Sequence, residues 1–207
     1  MGGMMSNYSR LLASTVIVFS FIVLGCATSS NTTPTVSRQA AADKAPAKDY
    51  ISLNLDYPYY KMLFDKVERR TGLPLKNRGE AHITVITPPE FKILSQRIPA
   101  GRLQEEAEDF FEQQKPKYTN LCLGHAEKTL GKKLEQVYYV VVESKDLLQF
   151  REKLAAEAGL PKDQFDPDLF YPHVTLGFTL RDMHYEDGVI KNTASCPDDL
   201  KALFLER

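Results

Sequence analysis

Two of the four histidines in this chain stand two residues before a threonine, in His82-Ile83-Thr84 and His173-Val174-Thr175. An imidazole moves protons near neutral pH. A threonine hydroxyl, rigid at Cβ, hydrogen-bonds an anionic oxygen. On a strand, residues i and i+2 share a face, so each motif offers an imidazole and a hydroxyl on one surface. Ile83 and Val174 then turn into the opposite layer. Two such surfaces facing one another across a groove would hold a phosphodiester between two hydroxyls and flank it with two imidazoles. A lone strand histidine is more often a half-buried polar residue, so the weight of the pattern comes from where the two motifs fall in the chain.

The elements around them recur in order. Ile51-Ser52-Leu53-Asn54-Leu55 alternates apolar and polar, as a half-buried strand does. Asp56 and Pro58 suit the start of a helix with Leu63, Phe64 and Val67 on its apolar stripe, stopped at Gly72. A strand from Ala81 to Ile86 carries the first motif and stops at Pro88-Pro89. Arg102 to Gln114 is a polar helix and Tyr118 to His125 a strand. Val137 to Val142 is strongly β-prone. Ser144 caps a helix with Leu147, Leu148, Phe150 and Leu154, stopped at Gly159. The strand Pro172 to Gly177 carries the second motif. Each stretch runs strand, helix, Gly-Leu-Pro (72–74 and 159–161), then a strand with His-x-Thr. This is expected from an internal duplication. Beyond Leu180 the halves stop matching; Gly188 to Lys191 is expected as a short strand and Pro197 to Leu205 as a short helix.

The chain begins with an address rather than a fold. The uncharged run Leu11 to Leu24 is shorter than the roughly 20 apolar residues of a spanning helix and suits a signal h-region. It ends in Val23-Leu24-Gly25-Cys26, which resembles a bacterial lipobox with Cys26 as the lipidated, palmitate-bearing residue. The alternative is an uncleaved N-terminal anchor. Ala27 to Lys48 is small, polar and Pro-punctuated, a flexible tether. The expected division is a signal peptide at 1–25, lipidated Cys26 and tether over 26–49, and a folded domain over 50–207 with lobes at about 50–116 and 117–207. Ala27 after Cys26 resembles lipoproteins sent to the outer membrane, which would face the protein to the periplasm in a Gram-negative cell envelope.

His82-Ile83-Thr84-Val85 and Pro172-His173-Val174-Thr175-Leu176 resemble the paired signatures of the 2H phosphoesterase superfamily, which includes the RNA ligase-like 2′,3′-cyclic phosphodiesterases. Within it, the extracytoplasmic variants and the Swiss Army Knife group are both near. The resemblance covers Tyr50 to about Phe178. It implies an α+β fold, a duplicated β-α-β-α-β unit with bilobal antiparallel sheets around a central cleft. It further implies a hydrolase in which His82 and His173 act as general base and acid and Thr84 and Thr175 bind phosphate. No metal or other cofactor is required by that mechanism, and the sequence offers no obvious metal cluster. The substrate implied is a cyclic phosphate of a nucleotide or RNA end. Which histidine is the base is left open.

Other residues carry bland readings beside the sharp ones. Tyr171 either stacks a base or packs. His125 and His184 read as surface histidines. Lys132-Lys133 reads as a solvated turn, and Glu105, Glu106, Glu108 and Asp109 as a helix's solvated face. Cys122 and Cys196 can pair in an oxidising compartment or stand as separate buried thiols. The 26 Lys and Arg against 27 Asp and Glu exclude a strongly basic nucleic-acid coat. Besides the nucleotide and, through its lipid, the membrane, no stable protein partner is expected. The competing function is a non-catalytic nucleotide- or phosphate-binding envelope lipoprotein; an envelope lipoprotein of structural role is a third possibility.

Overall fold

A computed structural model describes residues 48–205. The expected signal peptide, Cys26 and nearly all of the tether lie outside the described residues. Among the described residues no helix is long and apolar enough to cross a membrane.

The fold is α+β with two small antiparallel sheets. Strand β1 (Ile51–Asn54) pairs with β2 (His82–Ile86), and helix α1 (Tyr57–Thr71) connects them. The second sheet has the order β3-β4-β5, with β3 at Thr119–Leu130, β4 at Lys133–Glu143 and β5 at His173–Phe178. Helix α4 (Lys145–Ala158) joins β4 to β5. Between the sheets the chain runs through α2 (Pro88–Leu94) and α3 (Ala100–Asp109), and it ends in α5 (Asp198–Leu205).

Local chemistry explains these boundaries. Tyr60, Leu63, Phe64 and Val67 bury one face of α1, which ends where Gly72 adopts φ 66° and donates its N–H to the Glu68 carbonyl. Helix α4 starts where Ser144 Oγ accepts from the Leu147 N–H, and Gly159 ends it at φ 60°. Asp56 sits at the first cap of α1, but its side chain makes no cap hydrogen bond.

Four segments depart from the sequence expectation or add to it. Pro88-Pro89 ends β2 but also opens α2, because proline's missing N–H costs nothing in a first turn, and Glu90 Oε2 accepts from the Thr87 N–H at 2.8 Å. The helix expected over 102–114 closes as a π-helical turn at Phe110–Gln114. Gly188 to Lys191 is not a strand; it lies in an irregular passage between two short 3-10 turns. The strand expected to stop at His125 runs on to Leu130, forming a long hairpin with β4 turned at Gly131-Lys132.

The main core fixes which way the motifs face. Ile83 and Val85 of β2, and Val174 and Leu176 of β5, are all buried in one apolar cluster with α1 and α4. Each such side chain contributes about 1.5–3 kcal/mol when fully buried. Strand alternation therefore turns His82, Thr84, His173 and Thr175 out of that core. A second, smaller cluster of Val137, Tyr139, Val141, Met183 and Val189 covers the other face of the three-stranded sheet. The passage from Thr179 to Pro197 thus crosses the face that bears His173 and Thr175.

Candidate active site

Strands β2 and β5 lie close together without a shared hydrogen-bond ladder. The segment before β2 holds them. Lys76 and Phe178 exchange backbone hydrogen bonds at 2.8 and 3.1 Å, and Asn77 Nδ2 donates to the Leu176 carbonyl at 2.7 Å. Gly177 permits that approach, since a Cβ there would meet the Phe64 ring at 2.8 Å and the Lys76 carbonyl at 3.1 Å.

On the first sheet, register places Asn54 opposite His82 and Ser52 opposite Thr84, so the polar residues of β1 flank the motif. His82 is half-buried, with Nδ1 3.4 Å from Glu80 Oε1. Burial lowers its pKa below the ordinary imidazole value, and Glu80 opposes that shift.

On the second sheet, Tyr139 lies opposite Thr175 and Val141 opposite His173. His173 Nδ1 is 2.7 Å from the Tyr171 carbonyl, so Nδ1 carries the proton and donates. Its Nε2 is then an acceptor, and Lys191 Nζ donates to it at 3.1 Å. The same ammonium donates to Asp182 Oδ1 at 2.9 Å. Asp182 Oδ2 accepts from Thr175 Oγ1 at 3.0 Å and from Arg78 Nη2 at 3.4 Å, and His184 Nε2 is 4.0 Å from it. Burial, reinforced by the Lys191 charge, holds His173 well below the ordinary imidazole range. The carboxyl of Asp182 is held low by Lys191 against the opposing cost of burial.

Arg78 and Asp182 tie the two motifs together. Asp182 is bonded to Arg78 and Thr175, and its charge, with that of Arg78, is also felt at His82. The Asp182 carboxylate thus gathers a hydroxyl, an ammonium and a guanidinium, and its charge reaches the imidazoles of both His82 and His173.

Tyr171 lies at the edge of this site with its ring stacked on Tyr185, centroids 6.0 Å apart. With Phe170, Pro172, Leu121, Leu148 and Lys191 it lines a groove of about 280 Å³ beside His173. His184 is exposed but borders the site, whereas His125 stacks on Tyr138 away from it, with Nε2 3.1 Å from Gln136 Oε1. Lys132 and Lys133 are exposed. Cys122 and Cys196 form a disulfide, which fastens the passage carrying Lys191 to β3. Cys26 lies outside the described residues. Among the described residues no group of three or more His, Cys, Asp or Glu side chains could hold a metal ion.

Sequence reasoning missed Lys191, Asp182, Arg78 and Tyr139. Tyr139 is read from the sequence as part of a β-prone run; its ring presents an edge to His173, centroids 5.9 Å apart. It lies over Gly124, where a Cβ would sit 2.3 Å from the ring. Asp182 and Lys191 fall in the stretch with no apolar period, where strand alternation assigns no face.

A search of curated proteins and a search of solved structures each returned no match. A family model, the Swiss Army Knife 2H phosphoesterase domain, matches residues 49–184. That span holds both His-x-Thr strands, α1, α4 and Asp182, and ends short of Lys191. With most of its length matched and both motifs on the paired faces just described, the chain belongs to the Swiss Army Knife 2H phosphoesterases.

Proposed function

We infer that this phosphoesterase hydrolyses cyclic phosphodiesters of nucleotides or RNA ends, with His82 and His173 as the acid–base pair and Thr84 and Thr175 as phosphate ligands. The observation that carries the reading is the common orientation of the two motifs. Ile83, Val85, Val174 and Leu176 enter one core, and both His-Thr pairs turn away from it on neighbouring strands. One imidazole takes a proton from water as the new P–O bond forms. The other gives a proton to the ribose oxygen as the old P–O bond breaks. The ring opens to a phosphate monoester, one water is consumed, and the two imidazoles exchange protonation states before solvent resets them. Arg78 and Lys191 supply the positive charge that a phosphate needs in a half-buried site.

The groove beside His173 offers room for the nucleoside, with Tyr171 as a stacking surface. The two strand–helix–strand units, β1-α1-β2 and β4-α4-β5, are read as duplicated halves; in each, the strands flanking the helix pair antiparallel. A lipid anchor at Cys26 would deliver the domain to the cell envelope, and the Cys122–Cys196 disulfide fits such an oxidising compartment.

The test is incubation of the purified protein with 2′,3′-cyclic nucleotides and cyclic-phosphate-ended RNA, with and without EDTA, reading monoester product. Turnover that survives EDTA supports the reading; no product from any substrate, or activity lost to EDTA, overturns it.

One observation favours a second reading, a non-catalytic phosphate-binding envelope lipoprotein. The Thr175 proton and the His173 Nε2 lone pair are both engaged, by Asp182 and Lys191. Calorimetry showing tight binding of a cyclic nucleotide that is recovered intact would establish it.

A further inference from the structure

Lys191 is fully buried, with its side chain 2% exposed, and its partner Asp182 is 4% exposed. An ion pair removed from water in this way contributes little net stability, because desolvating both charges offsets their attraction. Its ammonium is spent in a specific place. One N–H goes to Asp182 Oδ1, a second to His173 Nε2, and the ammonium lies 5.2 Å from the centre of the Tyr139 ring. The other ring nitrogen of His173 is committed to the Tyr171 carbonyl.

We propose that Lys191 is a positioning residue of the site: anchored by Asp182, it donates to His173 Nε2, keeps that imidazole in the neutral Nδ1–H form, and so makes His173 the base and His82 the acid. This assignment of roles rests on the phosphoesterase reading above. Protonating Nε2 would place an imidazolium 3.1 Å from an ammonium. His82 is also lowered, by burial first and by the Arg78 and Lys48 charges, but its nearest charged neighbour is the Glu80 carboxylate, which opposes that shift, so of the two imidazoles His82 is the more readily protonated. An incoming phosphate oxygen attracts the ammonium away from Nε2. The lone pair of Nε2 is thereby released for water as the anion arrives, which couples base activation to substrate binding.

The charged groups facing this pair come from several elements. Asp182 and His184 lie on the passage after β5, Arg78 precedes β2, and Asp187 acts on Lys191 from the 3-10 turn at Tyr185–Asp187. Of these, the charges of Lys191 and His184 oppose protonation of His173, and that of Asp182 favours it, less strongly than Lys191 opposes it.

The test is an NMR titration of the histidine imidazoles in the full-length protein, with the His173 signal assigned through His173→Gln. In the unmutated protein His173 is expected to stay neutral well below the free-imidazole value. Lys191→Met is expected to raise its midpoint by about one pH unit or more. Because that variant leaves Asp182 buried without its cation, Lys191→Met/Asp182→Asn removes both charges together and is expected to raise the midpoint in the same direction. An unchanged midpoint in the folded variants, or an ordinary midpoint in the unmutated protein, overturns the proposal. The pH profile of kcat/KM on a 2′,3′-cyclic nucleotide checks the role assignment, its ascending limb moving with the His173 midpoint. An unmoved limb overturns His173 as the base. Absence of turnover would defeat the phosphoesterase reading and its role assignment, while the titration still decides whether Lys191 holds His173 neutral.

Discussion

The hydroxyl of Thr175 donates to Asp182 Oδ2 at 3.0 Å, while the hydroxyl of its counterpart Thr84 has no hydrogen-bond partner among the described residues. The two threonines proposed to bind phosphate are therefore unequal. Thr84 can donate to a phosphate oxygen at once, whereas Thr175 must first give up a carboxylate. Thr84→Val is expected to raise KM about 10-fold, equivalent to ~1.4 kcal/mol, without shifting the unfolding midpoint. Thr175→Val is expected to raise KM less and to lose about 1–3 kcal/mol of stability, because Asp182 loses a donor. Steady-state kinetics and urea unfolding of the two variants check the asymmetry.

Arg151 is a structural link between the two motif strands. Its guanidinium is 1% exposed and donates to the carbonyls of Val85 on β2 and of Asp166, Pro167 and Leu169 on the approach to His173. It also pairs with Glu90 at 2.8 Å and lies over the rings of Phe165 and Phe170. Arg151→Met is expected to cost about 3–5 kcal/mol in urea unfolding, the scale of breaking a buried pair. Arg151→Lys is expected to rescue that loss in part, since an ammonium cannot reproduce the planar fork.

The Cys122–Cys196 disulfide closes a separation of 74 residues. Constraining the unfolded chain over a loop of that length contributes ~4 kcal/mol in the chain-entropy view. It also fastens the passage that presents Asp182 and Lys191. Reduction, or Cys122→Ala/Cys196→Ala, is expected to lower Tm and to lower kcat. Differential scanning calorimetry and turnover with and without dithiothreitol check both effects.

Stability should fall on acidification in two stages. His82, His173 and His184 are all held below the ordinary imidazole value of 6.5, with burial the first cause in each. Below that pH the unfolded chain binds more protons than the folded one, so stability is lost as pH falls through about 6.5. Asp182 and Asp187 are held below the ordinary carboxyl value of 3.8, so a further loss follows as pH drops under it. Urea midpoints across pH 3 to 8 should decline on that course; a midpoint flat between pH 7 and 5 would contradict the first stage.

Period-two alternation made the strands legible, and with them the shared face of each His-Thr pair. Ile83 and Val174 fell where alternation put them, inside the core. Gly72, Gly159 and Ser144 marked helix ends because their roles are local. The passage from Leu180 to Cys196 was illegible for the same reason in reverse, whereas the short helix expected over 197–205 forms at Asp198–Leu205. Met183 and Val189 are buried by a small second core that no period announces, and Asp182 and Lys191 acquire meaning from a contact with β5 that only folding creates. Pro88-Pro89 marked the end of β2 correctly but hid the start of α2, because proline can end a strand and begin a helix at one point in the chain.

The pairing of the two histidines is tested most directly by steady-state kinetics of His82→Ala and His173→Ala, alone and together, on a 2′,3′-cyclic nucleotide in EDTA. Each single variant is expected to lose about 10²–10⁴-fold in kcat/KM with its unfolding transition intact. The double variant should be little worse than either, since the two groups act as one unit. A folded single variant that keeps its activity would contradict the paired acid–base site.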